Sequence, residues 1–202
     1  MRIEAHSVRL VHATPDPELV IEQMGRLCWK SEGRVAEGSH VDFIRMLKGR
    51  DHASVLEHAS AGFIITTDRG ISHELVRHRL ASFSQSSTRY CNFAHDKFGG
   101  EITVVKPVDL PGSGPAFEAW KASCEEAERR YMDLLAAGQK PQVARAVLPT
   151  CLMTEVGMSA NLREWKHVIA LRTTPAAHPD MRVVAGLLRA ELVRLAPTVF
   201  GD

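Results

Sequence analysis

The chain has 202 residues, of which 45% are hydrophobic and 24% are charged, and its formal net charge is +1. This composition excludes a disordered chain. The near-neutral charge excludes a global electrostatic bias toward nucleic acid or membranes, so any anion site has to be a local cluster of cations. The length predicts a single domain, residues 1–202, that is large enough to bury a core.

The cysteines are far apart in the sequence and form no CxxC pair: Cys28, Cys91, Cys124 and Cys151. A zinc ribbon or a disulfide framework is therefore not expected. Reduced thiols that serve as packing residues indicate a cytoplasmic protein. The first residues lack the apolar stretch of a signal peptide, and no apolar run approaches the ~20 residues of a membrane span. We therefore expect no membrane partner.

The first part of the chain predicts a strand followed by a helix. Residues 3–12 alternate loosely between apolar and polar side chains, which favours a strand. Asp16 followed by Pro17 is typical of a helix N-cap with proline in the first turn. The stripe expected to be buried on this helix comprises Val20, Met24, Leu27 and Cys28.

The next elements are shorter. Ser39 is the expected cap of a helix, and its apolar residues are Phe43, Met46 and Leu47. Residues 59–67 combine isoleucine with threonine and predict a strand. Asp68 is placed to cap a helix that ends near His78. Residues 81–88 carry mostly hydroxyl groups and predict an exposed loop.

A long amphipathic helix dominates the second half. Its apolar positions recur at spacings of three and four and precede Gly138, a typical helix stop: Phe117, Trp120, Cys124, Ala127, Tyr131 and Leu134. Residues 102–105 predict a short strand, and residues 161–172 and 179–195 predict further helices. Helices outnumber strands, so the fold class is α+β. The absence of GxGxxG and P-loop motifs gives no support to a Rossmann or Walker site.

The segment from Arg77 to Tyr90, RHRLASFSQSSTRY, carries the most distinctive chemistry. Three arginines and a histidine flank a run of hydroxyls and one amide. A guanidinium is a planar fork suited to a phosphate or a pair of carbonyls, and hydroxyls with loop N–H groups complete a phosphate shell. The pattern indicates a small, polyanionic, ring-bearing ligand. A solvated helix end or a nucleic-acid-binding surface is compatible with the same residues.

Arg77-His78-Arg79, followed after seven residues by Ser87, resembles the signature of the flavin-dependent thymidylate synthases, and Arg89-Tyr90 also matches. The resemblance extends over most of the chain. Its further segments are HASVLEH at 52–58, RAVLP at 145–149, NLREW at 161–165 and LAPTVF at 195–200.

The resemblance implies a helix-rich single domain with a small, mainly antiparallel sheet. It also implies reductive methylation of dUMP to dTMP, with methylenetetrahydrofolate as carbon donor and with FAD passing on hydride from NADPH. The implied assembly is a homotetramer in which each active site is shared between subunits.

Site residues follow from the resemblance position by position. For FAD they are His52, Ser54, Glu57, Arg77, His78, Arg79, Asn161, Arg163, His167, Leu171 and His178. For dUMP they are Glu74, Gln85, Ser86, Ser87, Thr88, Arg89, Arg145 and Arg172. Cys28 falls near a small residue that touches the flavin in relatives.

Arg172 and Ser87 are the two catalytic candidates. A cation facing the pyrimidine stabilises charge that develops on the ring carbonyls, which is the role expected of Arg172. A serine nucleophile needs an adjacent base. Phosphate binding therefore suits Ser87 better than nucleophilic attack.

Two other functions stay open at this point. A non-catalytic nucleic-acid-binding module would use the same arginine-rich loop. A metal-dependent nucleotide hydrolase would use His52, Glu57 and His58, but no further ligands with zinc-like spacing follow them. We therefore expect neither a metal nor a nucleic-acid partner.

Overall fold

The computed structural model describes residues 1–201, apart from the side chain of Asp96. The strands are β1 (Arg2–Glu4), β2 (Ser7–Ala13), β3 (Ser60–Asp68), β4 (Ser82–Gln85), β5 (Thr103–Val105) and β6 (Met153–Asn161). The helices are α1 (Pro17–Leu27), α2 (Ser39–Gly49), α3 (Arg69–Leu75), α4 (Pro115–Ala136), α5 (Pro141–Ala144), α6 (Leu162–Arg172), α7 (Pro179–Leu195) and α8 (Pro197–Phe200). Short 3₁₀ turns cover Glu32–Arg34, Ala53–His58, Asp96–Phe98 and Arg145–Val147. This mixture confirms the α+β class.

The strands form two small sheets. A four-stranded sheet has the order β2-β3-β6-β4, and β1 pairs with β5 in a parallel two-stranded sheet. Thr14, which follows β2, donates its backbone N–H to the carbonyl of Ser60 at the start of β3. Leu162, which follows β6, donates its backbone N–H to the carbonyl of Ala59, just before β3. Gly62, further along β3, lies beside His12 and Ser159, so β2 and β6 both run antiparallel to β3. The predicted small antiparallel sheet is confirmed.

The chain divides into two compact units. The first unit contains Met1–Ser7, Ile65–Arg77 and Ser84–Val156. The second unit contains Val8–Ile64, His78–Phe83 and the residues from Gly157 onward. The single domain over 1–202 stays a prediction, and its last residue lies outside the described residues.

The core of the first unit forms around α4 and β5. Its buried residues are Ile102, Val104, Cys124, Tyr131, Ala144 and Leu152, and Trp120 and Leu134 pack against them. The amphipathic helix expected here is therefore confirmed, with Cys124 as a packing residue. The Sγ atom of Cys124 lies 3.5 Å from that of Cys151. Burial, followed by the nearby Cys151, raises the pKa of the Cys124 thiol to about 12.

The core of the second unit forms around α6 and α7. Trp165 is fully buried, and its indole N–H donates to the carbonyl of Ala61 over 2.9 Å. The ring of Phe63 meets that indole edge-on, with centroids 5.1 Å apart. The buried side of α7 comprises Met181, Val184, Ala185, Leu188 and Leu192. The apolar stripe and the bounds predicted for this helix are confirmed.

The buried face of α1 differs from the predicted one. Leu27 and Cys28 are exposed, whereas Ile21 and Gly25 are buried together with two glutamates, Glu18 and Glu22. The buried acids are satisfied by partners, which hydrophobic periodicity does not reveal. Their partners are Arg26 and Ser39 for Glu22, and the N–H groups of Thr198 and Val199 for Glu18.

Other corrections concern strands and caps. The first predicted strand is split into β1 and β2. The predicted loop at 81–88 contains β4, which pairs with β6, and the side chains of Gln85 and Ser86 hydrogen-bond to Thr154 of that strand. β6 was not predicted, since glycine and polar residues interrupt its alternation. Asp68 caps α3 as expected, by accepting the N–H of Ile71 over 2.8 Å. Asp16 occupies the N-cap of α1, but its side chain makes no capping bond.

Among the described residues, no helix combines the length and the apolar character needed to cross a bilayer. The longest, α4, has 22 residues and is amphipathic.

Replacing Gly25 by alanine is expected to destabilise the protein. An added Cβ would lie 2.6 Å from the ring of Phe43 on α2, and overpacking of a core contact costs about 1–3 kcal/mol. Gly186→Ala is the matched control, because Gly186 is also helical but a Cβ there meets nothing within 4 Å. Urea unfolding should show lower stability for the first variant and up to about 1 kcal/mol higher stability for the second. Equal stabilities would contradict this packing.

Candidate functional site

A cationic cavity lies in the first unit. Its volume is about 330 Å³, and its polar lining comprises Arg69, His73, Thr88, Arg145 and Thr150. Arg145 lies on a 3₁₀ turn and donates from Nη1 to the hydroxyl of Thr88 over 3.2 Å. The structure thus brings together two residues predicted to bind the nucleotide.

Arg69 is the most informative residue of this cavity. It occupies the first position of α3, and its backbone N–H is satisfied by the carbonyls of Thr150 and Leu152. Its Nη1 atom is buried and has no hydrogen-bond partner within the described chain. Burial, followed by the positive charge of Arg145, lowers the pKa of the Arg69 guanidinium. Two guanidiniums line this cavity and no carboxylate is among the described residues that line it, which favours an anion there.

The last residue of β4 and the loop after it are anchored inside the first unit. The amide nitrogen of Gln85 donates to the hydroxyls of Ser72 and Thr154, over 2.9 and 3.1 Å. The hydroxyl of Ser86 lies 2.9 Å from that of Thr154. The hydroxyl of Ser87 accepts the backbone N–H of Arg89 over 3.3 Å and so supports the turn that follows. These bonds fix the positions of the loop side chains before any ligand arrives.

The buried imidazole of His78 holds an arginine side chain in the second unit. His78 is only 4% exposed, and its Nε2 accepts a hydrogen bond from Nε of Arg172 over 3.0 Å. Because arginine only donates, the proton of the neutral ring is on Nδ1, which lies 3.5 Å from a carboxylate oxygen of Glu164. Burial, then Arg172 and His167, lower the pKa of His78 to about 4. His78 is therefore neutral at physiological pH and orients Arg172.

Other predicted flavin residues in this unit have structural partners. Arg163 forms an ion pair with Glu57. Asn161 caps α6 by accepting the N–H of Glu164 over 2.8 Å. His178 is exposed and caps α7 through Nδ1, which accepts the N–H of Asp180.

The predicted site residues separate by unit. The first unit holds the nucleotide set except Arg172: Glu74, Gln85, Ser86, Ser87, Thr88, Arg89 and Arg145. The second unit holds the flavin set except Arg77: His52, Ser54, Glu57, His78, Arg79, Asn161, Arg163, His167, Leu171 and His178. Each unit therefore carries most of one predicted ligand set.

Comparison with known proteins decides the family. The sequence model of the family described as "Thymidylate synthase complementing protein" matches residues 9–198. The chain belongs to this family. The flavin-dependent thymidylate synthase of Geobacter sulfurreducens is 34% identical, over 96% of this chain and 85% of that relative. The enzyme of the same name from Corynebacterium glutamicum is also 34% identical, over 92% and 79%. The chain is thus an enzyme of the flavin-dependent thymidylate synthase family, as its signature predicted.

The fold agrees with solved structures. A UMP/dUMP methylase, PolB from Streptomyces cacaoi bound with 5-Br dUMP, aligns with a TM-score of 0.82, covering 99% of this chain and 95% of that one. The same protein bound with 5-Br UMP gives 0.81. The identities, 24% and 23%, make this a likeness of fold.

Sequence reasoning missed three residues of these clusters: Arg69, His73 and Glu164. Arg69 gave a signal in the sequence, because an arginine in the first helical turn opposes the helix dipole. His73 and Glu164 gave no such signal, since their neighbours come from distant segments.

The family disfavours the non-catalytic nucleic-acid module, because the relatives are named enzymes. The hydrolase alternative also loses support. Within residues 1–201, His52, Glu57 and His58 form no three-ligand cluster, and Glu57 is paired with Arg163.

Proposed function

We propose that this chain is a flavin-dependent thymidylate synthase that methylates dUMP to dTMP, with methylenetetrahydrofolate as carbon donor and NADPH as the source of hydride. Family membership supports the reaction class. The observation that carries the substrate is the cavity of the first unit, where a buried guanidinium nitrogen of Arg69 lacks a partner beside Arg145. A nucleotide phosphate is a dianion that offsets two such charges.

The nucleotide is proposed to bind along the last residue of β4 and the loop after it. Arg145, Thr88 and Arg69 hold the phosphate. Gln85, whose amide nitrogen is already bonded to Ser72 and Thr154, offers its carbonyl oxygen to the base. Ser86, Ser87, Arg89 and Glu74 complete the proposed nucleotide set.

The residues of the second unit fit a flavin dinucleotide. Exposed arginines at 79 and 163 suit a pyrophosphate, and the neutral ring of His78 adds no charge beside an aromatic system. The residues proposed to hold FAD are His52, Ser54, Glu57, Arg77, His78, Arg79, Asn161, Arg163, His167, Leu171 and His178. When bound, FAD supplies the redox chemistry of the reaction.

Arg172 is proposed to polarise the pyrimidine carbonyls. The hydrogen bond to His78 fixes its Nε, so the guanidinium is oriented before substrate binds. Preorganised charge of this kind stabilises a transition state without reorganisation.

The proposed assembly is a homotetramer with shared active sites, in the cytoplasm. The family resemblance supports the tetramer, and four free cysteines are compatible with a reducing compartment.

The decisive experiment measures the flavin spectrum of the purified protein, and dTMP formed from dUMP, methylenetetrahydrofolate and NADPH. Arg172→Ala is expected to lower the rate at saturating dUMP by about 10²–10³-fold, as loss of a charge-stabilising donor does elsewhere. Ser87→Ala should raise the dUMP concentration required but retain turnover.

An unchanged saturated rate in Arg172→Ala would exclude its polarising role. A Ser87→Ala enzyme that binds dUMP but makes no dTMP would instead assign Ser87 a nucleophilic role. A protein with neither flavin absorbance nor dTMP production would refute the proposed function.

A further inference from the structure

A second cationic cavity lies in the second unit, at the end of α1. Its volume is about 470 Å³. We name it the Trp29 cavity, and its lining comprises Arg26, Trp29, Lys30, Ser31, Gly33, Arg34, Phe43 and Met46. None of these residues belongs to the proposed nucleotide or flavin sets, so the cavity is unexplained by them.

The charges around this cavity are mostly uncompensated. Arg26 is held by Glu22, a fully buried acid on α1, and its guanidinium stacks 4.6 Å from the ring centroid of Phe43. Lys30 and Arg34 make no ion pair with any residue that the structure describes. Glu32 lies in the same turn but does not line the cavity. Lys30 and Arg34 thus leave two positive charges available for an anion.

An aromatic surface adjoins these charges. Trp29 is 55% exposed, and Arg50 lies over its ring with the guanidinium carbon 5.5 Å from the centroid. An exposed indole leaves a large apolar area in contact with water, and a ligand ring that stacks on it removes that area from water. Aromatic faces interleaved with cations are typical of sites for anionic ring compounds.

The backbone places a lysine where glycine is usual. The N–H of Ser31 donates to Arg26 and that of Lys30 donates to Leu27, the bond pattern of a Schellman motif. Lys30 occupies its left-handed position, with φ of 49°. A side chain there costs roughly 1–2 kcal/mol relative to glycine. The residue that carries this cost is one of those that line the cavity.

We propose that the Trp29 cavity binds a flat heteroaromatic ring that carries anionic groups. This inference rests on the proposed function, in which dUMP and FAD already have residues assigned elsewhere. Two remaining reactants share the required chemistry: NADPH carries phosphates, and the folate carries glutamate carboxylates. In this proposal Trp29 stacks on the ring, and Lys30 and Arg34 bind the anionic groups.

The test compares Lys30→Gln/Arg34→Gln with a matched control, Lys140→Gln/Arg182→Gln. The control removes two exposed positive charges that line none of the cavities described above. Isothermal titration under nitrogen uses NADPH, NADH and tetrahydrofolate in turn. We expect the first double variant to bind one of these ligands at least tenfold more weakly than wild type, and the control to bind like wild type. Trp29→Ala should weaken the same ligand.

The titrations with the three ligands distinguish whether the bound anionic group comes from NADPH or from the folate. Weaker binding of NADPH, with a smaller effect on NADH, identifies the extra phosphate of NADPH as the anion. Weaker binding of tetrahydrofolate alone identifies the glutamate carboxylate. Unchanged affinities for all three ligands, or equal losses in the control, would overturn the inference.

Flavin content and dUMP affinity are measured on the same preparations. A wild type that lacks both refutes the proposed function, while the three titrations still decide whether this cavity binds a ring-bearing anion. The two failures are therefore distinguishable.

Discussion

Arg69→Met is expected to weaken dUMP binding by about one to two orders of magnitude, because a charge-assisted hydrogen bond contributes roughly 1.5–3 kcal/mol. The same change should leave the ligand-free protein as stable as wild type, or more so. It removes a buried guanidinium nitrogen that has no partner and whose pKa is lowered by burial and by Arg145. Lower affinity combined with undiminished stability is the signature of a residue kept for its ligand.

Isothermal titration with dUMP and with deoxyuridine, together with urea unfolding, measures both effects. Deoxyuridine lacks the phosphate, so its affinity should change little. Arg145→Met should behave similarly toward dUMP, whereas Arg182→Met, at an exposed position on α7, should bind like wild type. Wild-type dUMP affinity in Arg69→Met would remove Arg69 from the phosphate site.

Acid is expected to destabilise the protein through His78. Its pKa is about 4 in the folded state, against about 6.5 for an unperturbed histidine. Between these values the unfolded chain binds more protons than the folded one, so stability rises with pH. The contribution is fully present above pH ~6.5 and is lost as pH falls toward ~4, by up to about 3 kcal/mol.

Urea unfolding of wild type and His78→Gln at a series of pH values measures this contribution. Glutamine does not titrate, so the stability of wild type relative to the variant should fall by about 2 kcal/mol between pH 7 and 5. His58→Gln, at an exposed position, is the matched control for replacing a histidine by glutamine. A difference between wild type and His78→Gln that is constant with pH would show that His78 does not stay neutral in the folded protein.

The sequence was most informative where one local rule decides the structure. The bounds of α7 follow from Pro179 in its first turn and from its apolar spacing, and Asp68 caps α3 as its position indicates. The signature around Arg77 to Arg79 led to the family because it combines many positions. In both cases the residues that decide the prediction lie close together in the sequence.

Prediction failed where partners come from distant segments. Glu18 and Glu22 are buried on α1 because Thr198, Ser39 and Arg26 satisfy them, so the helix turns a different face inward than its apolar residues suggest. The hydroxyl-rich stretch at 81–88 contains β4, because it pairs with β6 and because Gln85 and Ser86 hydrogen-bond to Thr154 of that strand. The role of Arg69 depends on Arg145, which lies far along the chain. These three features depend on contacts between distant segments of the chain, which a local sequence pattern does not reveal.

The exposure of Cys28 has a practical consequence. Maleimides react with thiolates at accessible positions. Cys28 is exposed, whereas Cys124 is buried and its pKa is raised to about 12. Cys91 and Cys151 are only partly accessible. A fluorophore or spin label therefore attaches preferentially at Cys28, directly before Trp29, where a change in its signal on titration tests in real time whether a ligand binds at the end of α1.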